Sequence, residues 1–85
     1  MAILIREINA IPVWLLGEYL VELGGQVESE TRVRGENWEA YFYKIEDFKV
    51  GSIAVGRVRL EITGEEADLQ ALALRLDVKL MRGGG

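Results

Sequence analysis

Apolar residues recur at helical spacing in one segment near the start of the chain, PVWLLGEYLVELGG at residues 12–25. Pro12 suits the first turn of a helix, where its missing N–H would have no partner, and the paired glycines at 24 and 25 favour a left-handed stop. The stripe consists of Val13, Leu16, Leu20 and Leu23, and Trp14, Leu15 and Tyr19 widen it. The pattern predicts a helix over 12–23 that buries one face.

Elsewhere apolar residues alternate with polar ones, which is typical of strands with one exposed face. The stretch at 26–34 alternates without interruption, and we expect Val27 and Val33 to point inward. GEN at 35–37 and DFKVGS at 47–52 are typical of turns. The predicted strands are 2–8, 26–34, 38–46 and 52–63.

The alternation changes phase within the last predicted strand. Ile53 and Val55 are odd-numbered apolar positions, whereas the apolar positions after Gly56 are even-numbered. These even positions are Val58, Leu60 and Ile62. A slip of one residue at a glycine predicts a β-bulge at Gly56.

A second helix begins at TGEE, residues 63–66, where the Thr63 hydroxyl and the Glu66 carboxylate fit a capping box. We predict this helix over about 64–76. Its inward residues are Leu69, Leu72 and Leu76. DVKLM at 77–81 fits either a frayed helical turn or a short last strand, and we favour the strand.

These elements predict a single α+β domain over residues 1–81, in the order β-α-β-β-β-α with the closing strand as an addition. Both helices cover one face of a curved antiparallel sheet, and the two tryptophans are expected to anchor its core. The core is predicted to contain Trp14, Leu16, Leu20, Trp38, Phe42, Leu69 and Leu72. Residues 82–85 are predicted to form a flexible glycine-rich tail.

Composition narrows the range of functions. The 85 residues include no cysteine and no histidine, which excludes thiolate nucleophiles, zinc sites of the usual kinds and histidine-based triads. The formal net charge of −4 argues against nucleic acid and anionic membranes as partners. Arg6 and Glu7 interrupt the N-terminal apolar run, so we expect no signal peptide or membrane span. The composition favours a cytoplasmic protein that is not an enzyme and holds no cofactor or metal.

The exposed face of the predicted sheet carries guanidinium and phenol groups. This candidate binding face consists of Arg32, Arg34, Tyr41, Tyr43, Arg57 and Arg59. Such a surface could bind a base, a phosphate or a partner's carboxylates. Cross-strand pairing with Glu28, Glu30, Glu39 and Glu61 explains the same residues. Because acids and bases nearly balance on this face, we favour the pairing.

The second candidate site is the segment MRGGG at residues 81–85. Glycine has no Cβ, so this segment is narrow and free to adopt any φ. These properties suit a C-terminal carboxylate that enters an ATP-dependent activating enzyme, with Gly85 as the reacting residue and Gly84 next to it. An unstructured end explains the same residues.

Two family resemblances follow from these segments. The terminal Gly-Gly resembles that of the ubiquitin-like sulfur carriers, MoaD (the small subunit of molybdopterin synthase) and ThiS. Those carriers have the β-grasp fold, which begins β-β-α-β, whereas the order predicted from this sequence begins β-α-β. The resemblance implies a carrier that is activated at Gly84 and Gly85.

The second resemblance covers most of the chain. The helix IPVWLLGEYLVELGG, KVGS at 49–52, GEEA at 64–67 and the closing RGGG resemble an uncharacterised domain that follows the β-grasp part of MoaD-related proteins in thermophilic bacteria. This resemblance implies a TBP-like fold of strand, helix, antiparallel strands and helix, and it assigns no catalytic residue. We therefore expect a non-enzymatic accessory module whose partner is a second copy or a sulfur-transfer or molybdopterin enzyme. The alternative is a small sulfur carrier.

Overall fold

A five-stranded antiparallel sheet forms one layer of the protein, and two helices pack on one of its faces. The computed structural model describes residues 1–83. The elements are β1 (Ala2–Asn9), α1 (Val13–Glu22), β2 (Gln26–Ser29), β3 (Arg32–Arg34), β4 (Trp38–Val50), β5 (Ile53–Gly64) and α2 (Glu66–Gly83). The strand order is β1-β5-β4-β3-β2, so β1 and β2 are the two edges. The predicted α+β class is confirmed.

The core lies between the helices and the sheet. Its buried residues are Ile11, Leu16, Leu20, Leu23, Val33, Ala40, Phe42, Val58, Leu60, Ile62, Leu69, Leu72 and Leu76. Burying a leucine or phenylalanine side chain of this kind stabilises a fold by roughly 1.5–3 kcal/mol. Trp38 is partly buried and packs against the core, whereas Trp14 is 66% exposed. The prediction that Trp14 anchors the core is therefore wrong.

The end of α1 has the hydrogen bonds of a Schellman motif. The Gly25 N–H donates to the Leu20 carbonyl at 3.1 Å, and the Gly24 N–H donates to the Val21 carbonyl at 3.0 Å. Gly24 has a φ of 107°, which L side chains rarely adopt. These bonds satisfy carbonyls that the helix leaves without partners. The predicted glycine stop is confirmed.

The segment predicted as one strand over 26–34 is instead a tight hairpin. Its arms β2 and β3 pair antiparallel, with Val27 opposite Val33. The turn between them is supported by a 3.3 Å hydrogen bond from the Thr31 N–H to the Ser29 hydroxyl. Val33 is buried, but Val27 is 66% exposed although it shares the face of Val33. The prediction is therefore correct for the face on which Val27 lies but wrong for its burial, because its strand lies at the edge of the sheet.

Residues 77–81 continue α2, so the preferred closing strand is wrong. Leu76 is buried and Leu80 packs against the core one helical turn later, which requires helical spacing. The Arg6 Nη1 of β1 donates to the Asp77 carboxylate at 2.9 Å and holds this turn against the sheet. The helix extends to Gly83 and so includes the first two residues of the predicted tail. Gly84 and Gly85 lie outside the described residues.

β4 and β5 form a hairpin whose turn is shorter than predicted. Val50 pairs with Ile53, so the turn is only Gly51 and Ser52. The register shifts between Ile45 and Phe48 of β4, where two residues face Gly56. The irregularity therefore lies at the level predicted, but its extra residue belongs to β4 rather than β5.

The same register explains the phase change of the apolar residues in β5. The extra residue lies on β4, so alternation along β5 continues through Gly56 without a break. Val55 and Arg57 are two residues apart on β5, and both therefore lie on the face away from the helices. Ile53 lies on this face too, whereas Val58 lies on the buried face. The apolar residues change face along β5 because the far part of the hairpin extends beyond the helices.

Candidate functional site

The face of the sheet away from the helices, which we call the outer face, brings all six predicted binding residues together. The pairing registers place Arg32 opposite Tyr41, and Tyr41 opposite Glu61 of β5. The next row places Tyr43 opposite Arg59, and Arg59 opposite Glu7 of β1. Arg34 and Arg57 lie on the same face at its two ends. The predicted shared face is therefore confirmed, while its role in binding stays a prediction.

Each of the four arginines on the outer face is within ion-pair distance of a glutamate. Arg59 Nε lies 2.9 Å from Glu61 Oε2, and its Nη1 lies 3.3 Å from Glu7 Oε2. Arg57 also pairs with Glu7. Arg34 lies 3.5 Å from Glu28 and 3.5 Å from Glu39, and Arg32 lies 3.7 Å from Glu39. The acids neutralise the arginines, so the geometry supports cross-strand pairing.

The central cluster of this face is Arg59, Glu61 and Tyr43. Hydrogen bonds from Arg59 and from the Tyr43 hydroxyl, which lies 3.1 Å from Glu61 Oε2, lower the pKa of the Glu61 carboxyl. Desolvation and the bond to Glu61 raise the pKa of Tyr43, and the same carboxylate raises the pKa of Arg59. All three shifts favour the bonded protonation states. The cluster is therefore a hydrogen-bonded ion-pair network on the outer face.

Tyr43 of this cluster also lies against Tyr41, which in turn lies beside Arg32. The rings of Tyr41 and Tyr43 have centroids 5.0 Å apart and are tilted by 39°. The Arg32 guanidinium carbon lies 5.4 Å from the centroid of Tyr41, within cation–π range. Tyr41 nevertheless stays 41% exposed.

A groove between α1 and the β2–β3 hairpin is a second surface, and the sequence pattern did not predict it. We call it the α1 groove. It has a volume of about 840 Å³ and is lined by Val13, Trp14, Gly17, Glu18, Val21, Glu22, Val27, Ser29, Glu30, Val33 and Phe42. Trp14 and Val27 are each 66% exposed and Val21 is 40% exposed. Exposed apolar residues that line one concave surface are typical of interaction sites.

Gly17 shapes the floor of the α1 groove. A Cβ at this position would lie 3.3 Å from Cζ of Phe42, which is itself buried in the core. A glycine inside a helix is unfavourable by about 1 kcal/mol relative to alanine. Close approach of α1 to the Phe42 ring is a physical reason for glycine at this position.

Carboxylates stand along the rim of the α1 groove. Glu18 and Glu22 come from α1 and Glu30 from the hairpin turn. Lys79 Nζ lies 3.3 Å from Glu22, whereas Glu18 and Glu30 form no ion pair with the side chains described, those of residues 1–81. The groove therefore combines an apolar floor with negative charge at its edge.

A metal centre and a membrane span are two further features that a chain of this size could hold. Within residues 1–83, no three His, Cys, Asp or Glu side chains come together as a metal site would require. No helix among the same residues is long and apolar enough to cross a membrane. The predicted carrier residues Gly84 and Gly85 lie outside this part of the chain.

The fold and these surfaces define a small α+β protein with a charge-paired outer face and an apolar groove beside its first helix. Its sequence matches the model of the archaeal MoaD-like protein family over residues 5–85, and the chain belongs to that family. The resemblance to MoaD-related proteins is thereby confirmed. No curated protein matches the chain.

Proposed function

We propose that this protein is a non-enzymatic accessory module that binds a protein partner through the α1 groove. Membership of the archaeal MoaD-like family supports a relation to molybdopterin or sulfur-carrier systems. The observation that carries the proposal is the exposure of Trp14, 66%, on an apolar concave surface. Tryptophan is among the residues that most often dominate the affinity of protein interfaces. The cytoplasmic location stays a prediction.

The chemistry of the groove indicates what kind of segment it would bind. An apolar floor requires apolar side chains, and carboxylates at Glu18 and Glu30 favour lysine or arginine beside them. The groove is bounded by a helix and a hairpin, a shape that suits an amphipathic helix. The partner would therefore present an apolar helical face flanked by basic residues.

Binding to enzymes of these systems tests the proposal. The probes are the large subunit of molybdopterin synthase and the adenylating enzyme from the same organism, titrated by calorimetry. Trp14→Ala should weaken binding at least about 30-fold, since an interface hot spot contributes about 2 kcal/mol or more. Ile53→Ala is the matched control, because Ile53 is 65% exposed and lies at the hairpin tip.

Two results would contradict the proposal: neither enzyme binds the wild type, or Trp14→Ala binds as tightly as Ile53→Ala. Thermal unfolding of both variants should stay close to that of the wild type, because both side chains are mostly exposed. A turnover rate that a single Asp or Glu substitution abolishes would refute the non-enzymatic part.

A sulfur carrier is the second candidate, supported by a family match that extends through residue 85 and so includes the glycines. In such a carrier the terminal carboxylate attacks ATP, releasing pyrophosphate and forming an acyl-adenylate. Hydrosulfide then attacks the acyl carbon, so that a C–S bond forms, the bond to AMP breaks, and a thiocarboxylate remains. Intact-mass measurement of protein from its native cell would show a species heavier by the difference between sulfur and oxygen. Gly84→Ala should abolish this species and leave Trp14-dependent binding unchanged, whereas normal cellular function without residues 83–85 would exclude the carrier.

A further inference from the structure

β1 is an open edge of the sheet. Among residues 1–83, it pairs with β5 on one side and with no strand on the other. The Ala10 N–H donates to the Gly56 carbonyl at 2.8 Å, which continues the register of β1 on β5. Even-numbered β1 residues therefore exchange hydrogen bonds with β5, and the N–H and C=O groups of Ile3, Ile5, Glu7 and Asn9 point away from it. Such a row of backbone groups is a template for another strand.

Apolar side chains flank this edge on both faces of the sheet. Ile3 is 57% exposed and Ile5 is 46% exposed on the outer face. On the helix side, a cleft of about 530 Å³ separates α2 from β1, and Leu74 at its border is 70% exposed. A strand added to β1 would cover apolar surface above and below the new ladder.

The edge lacks the usual protection against pairing. β1 contains no proline and pairs with β5 in a regular register, whereas protected edges carry prolines, bulges or free lysines. Its two charged residues are already engaged within the molecule. Arg6 binds Asp77 at 2.9 Å, and Glu7 pairs with Arg57 and Arg59.

We infer that β1 pairs antiparallel with β1 of a second copy, forming a two-fold dimer with a continuous ten-stranded sheet. Residues opposite each other across such a pair share a face, so the two-fold axis must pass through a residue position. An axis at Leu4 places each Ile3 opposite an Ile5 and the two Leu4 side chains opposite each other. An axis at Arg6 would place two guanidinium groups opposite each other, and an axis at Ile5 would place Ile3 opposite Glu7.

This self-complementarity is the reason to commit to a second copy as the partner. The register centred on Leu4 pairs Ile3 with Ile5 on the outer face and Leu4 with Leu4 on the helix side, and it keeps like charges apart. The interface is isologous and closed, as two-fold interfaces are. The α1 groove lies at the opposite edge beside β2 and β3, so the dimer does not depend on the proposed function.

Oligomeric state tests the interface. Sedimentation at about 100 µM should show a dimer, since a complex with a Kd of about 1 µM is largely formed at that concentration. Ile5→Lys should convert it to a monomer with unchanged circular dichroism. Val27→Lys is the matched control, because it adds the same charge at the other edge of the sheet, and it should remain a dimer.

The absence of cysteine from the chain allows a test of register. In the dimer, Leu4→Cys brings two cysteines together in a non-hydrogen-bonded pair with Cα atoms about 4.5 Å apart, within the range of a disulfide. Oxidation should give a covalent dimer, and adding Ile5→Lys should abolish it. Ile8→Cys, on the same face of β1, should stay monomeric on a non-reducing gel.

Three results would overturn the inference. The first is a wild-type protein that is monomeric at about 100 µM, a concentration at which a dimer with a micromolar Kd would form. In that case the strand that pairs with β1 would belong to another protein. The second is dissociation by Val27→Lys but not by Ile5→Lys. The third is cross-linking through Ile8→Cys but not through Leu4→Cys.

Discussion

Gly24 and Gly25 follow α1 directly, but they are glycine for different reasons, and alanine substitution should separate these reasons. Gly24 has a φ of 107° with open space around the position of a Cβ. Gly25 is buried, and a Cβ there would collide with Val33 Cγ1, lie 2.8 Å from Trp38 Cη2 and lie 3.0 Å from the Leu20 carbonyl oxygen. The first position is limited by backbone conformation and the second by space.

The magnitudes follow from these surroundings. Gly24→Ala should cost about 1–2 kcal/mol, the usual penalty of a left-handed conformation. Gly25→Ala must displace the ring of Trp38 or separate α1 from β3. We expect about 1–3 kcal/mol for overpacking and about 1 kcal/mol for the hydrogen bond to Leu20. For a protein of this size the sum of about 2–4 kcal/mol corresponds to a fall in Tm of about 8 °C or more.

Urea denaturation followed by circular dichroism measures both variants, with unchanged m-values as the check for two-state unfolding. The expected order of stability is wild type, then Gly24→Ala, then Gly25→Ala. If Gly25→Ala lost no more stability than Gly24→Ala, the close packing of the α1 terminus against Trp38 and Val33 would be refuted.

The remaining predictions concern the outer face and α2. Because hydrogen bonds lower the pKa of Glu61, its contribution to stability is present above the unfolded-state pKa of about 4.3 and is lost as the pH falls through the folded-state value. Glu61→Gln should therefore flatten the acid limb of the stability profile, and an unchanged limb would contradict this. Leu76→Ala should cost about 2–5 kcal/mol in chemical denaturation, whereas Leu74→Ala should cost little because Leu74 is 70% exposed; equal losses would argue against the orientation of α2. Asp77→Asn should lower the free energy of unfolding by at most about 1 kcal/mol, and by less in high salt, because salt screens an exposed ion pair. A larger loss that does not depend on salt would show that solvent does not screen the pair with Arg6.

Local signals were sufficient for some elements. The α1 stripe and its glycine stop involve residues within a few positions of one another, so the sequence predicts both correctly. The residues of the outer face were also assigned correctly, because alternation along a strand directly determines its faces. Their mutual pairing was the favoured interpretation because acidic and basic residues nearly balance on this face.

The hairpin at 26–34 shows where alternation is insufficient. Val27 and Val33 are six residues apart, so they share a face whether the strand continues or folds back at Ser29. The pattern is therefore identical in both cases, and only the polar turn residues distinguish them. Similarly, DVKLM is too short to separate periods of two and four. The contact that holds this turn in place joins Asp77 to Arg6, which is 71 residues away in sequence. A local pattern therefore contains no sign of it.

The α1 groove was missed because the helix carries apolar residues on two sides. Trp14 and Val21 are seven residues apart and lie on one side of the helix with Glu18 between them, whereas Leu16 and Leu20 lie on the buried side. The acidic residue on the Trp14 side was the available signal. An acidic residue on the same side of a helix as an aromatic residue indicates that this side is exposed rather than buried in the core.

The first and last elements of the chain meet at one corner of the molecule, where β1 packs beneath α2, and this has a consequence for the order of folding. β4 and β5 are joined by a turn of two residues, Gly51 and Ser52, so their ladder can form locally. β1 reaches β5 only after closing a loop of about fifty residues, which costs about 3 kcal/mol more in chain entropy than a turn of two residues. The β4–β5 hairpin should therefore form early and the β1–α2 corner last. In the folded monomer the same asymmetry makes this corner the first to open, so amide hydrogens that β1 donates to β5 should exchange with solvent before those between β5 and β4.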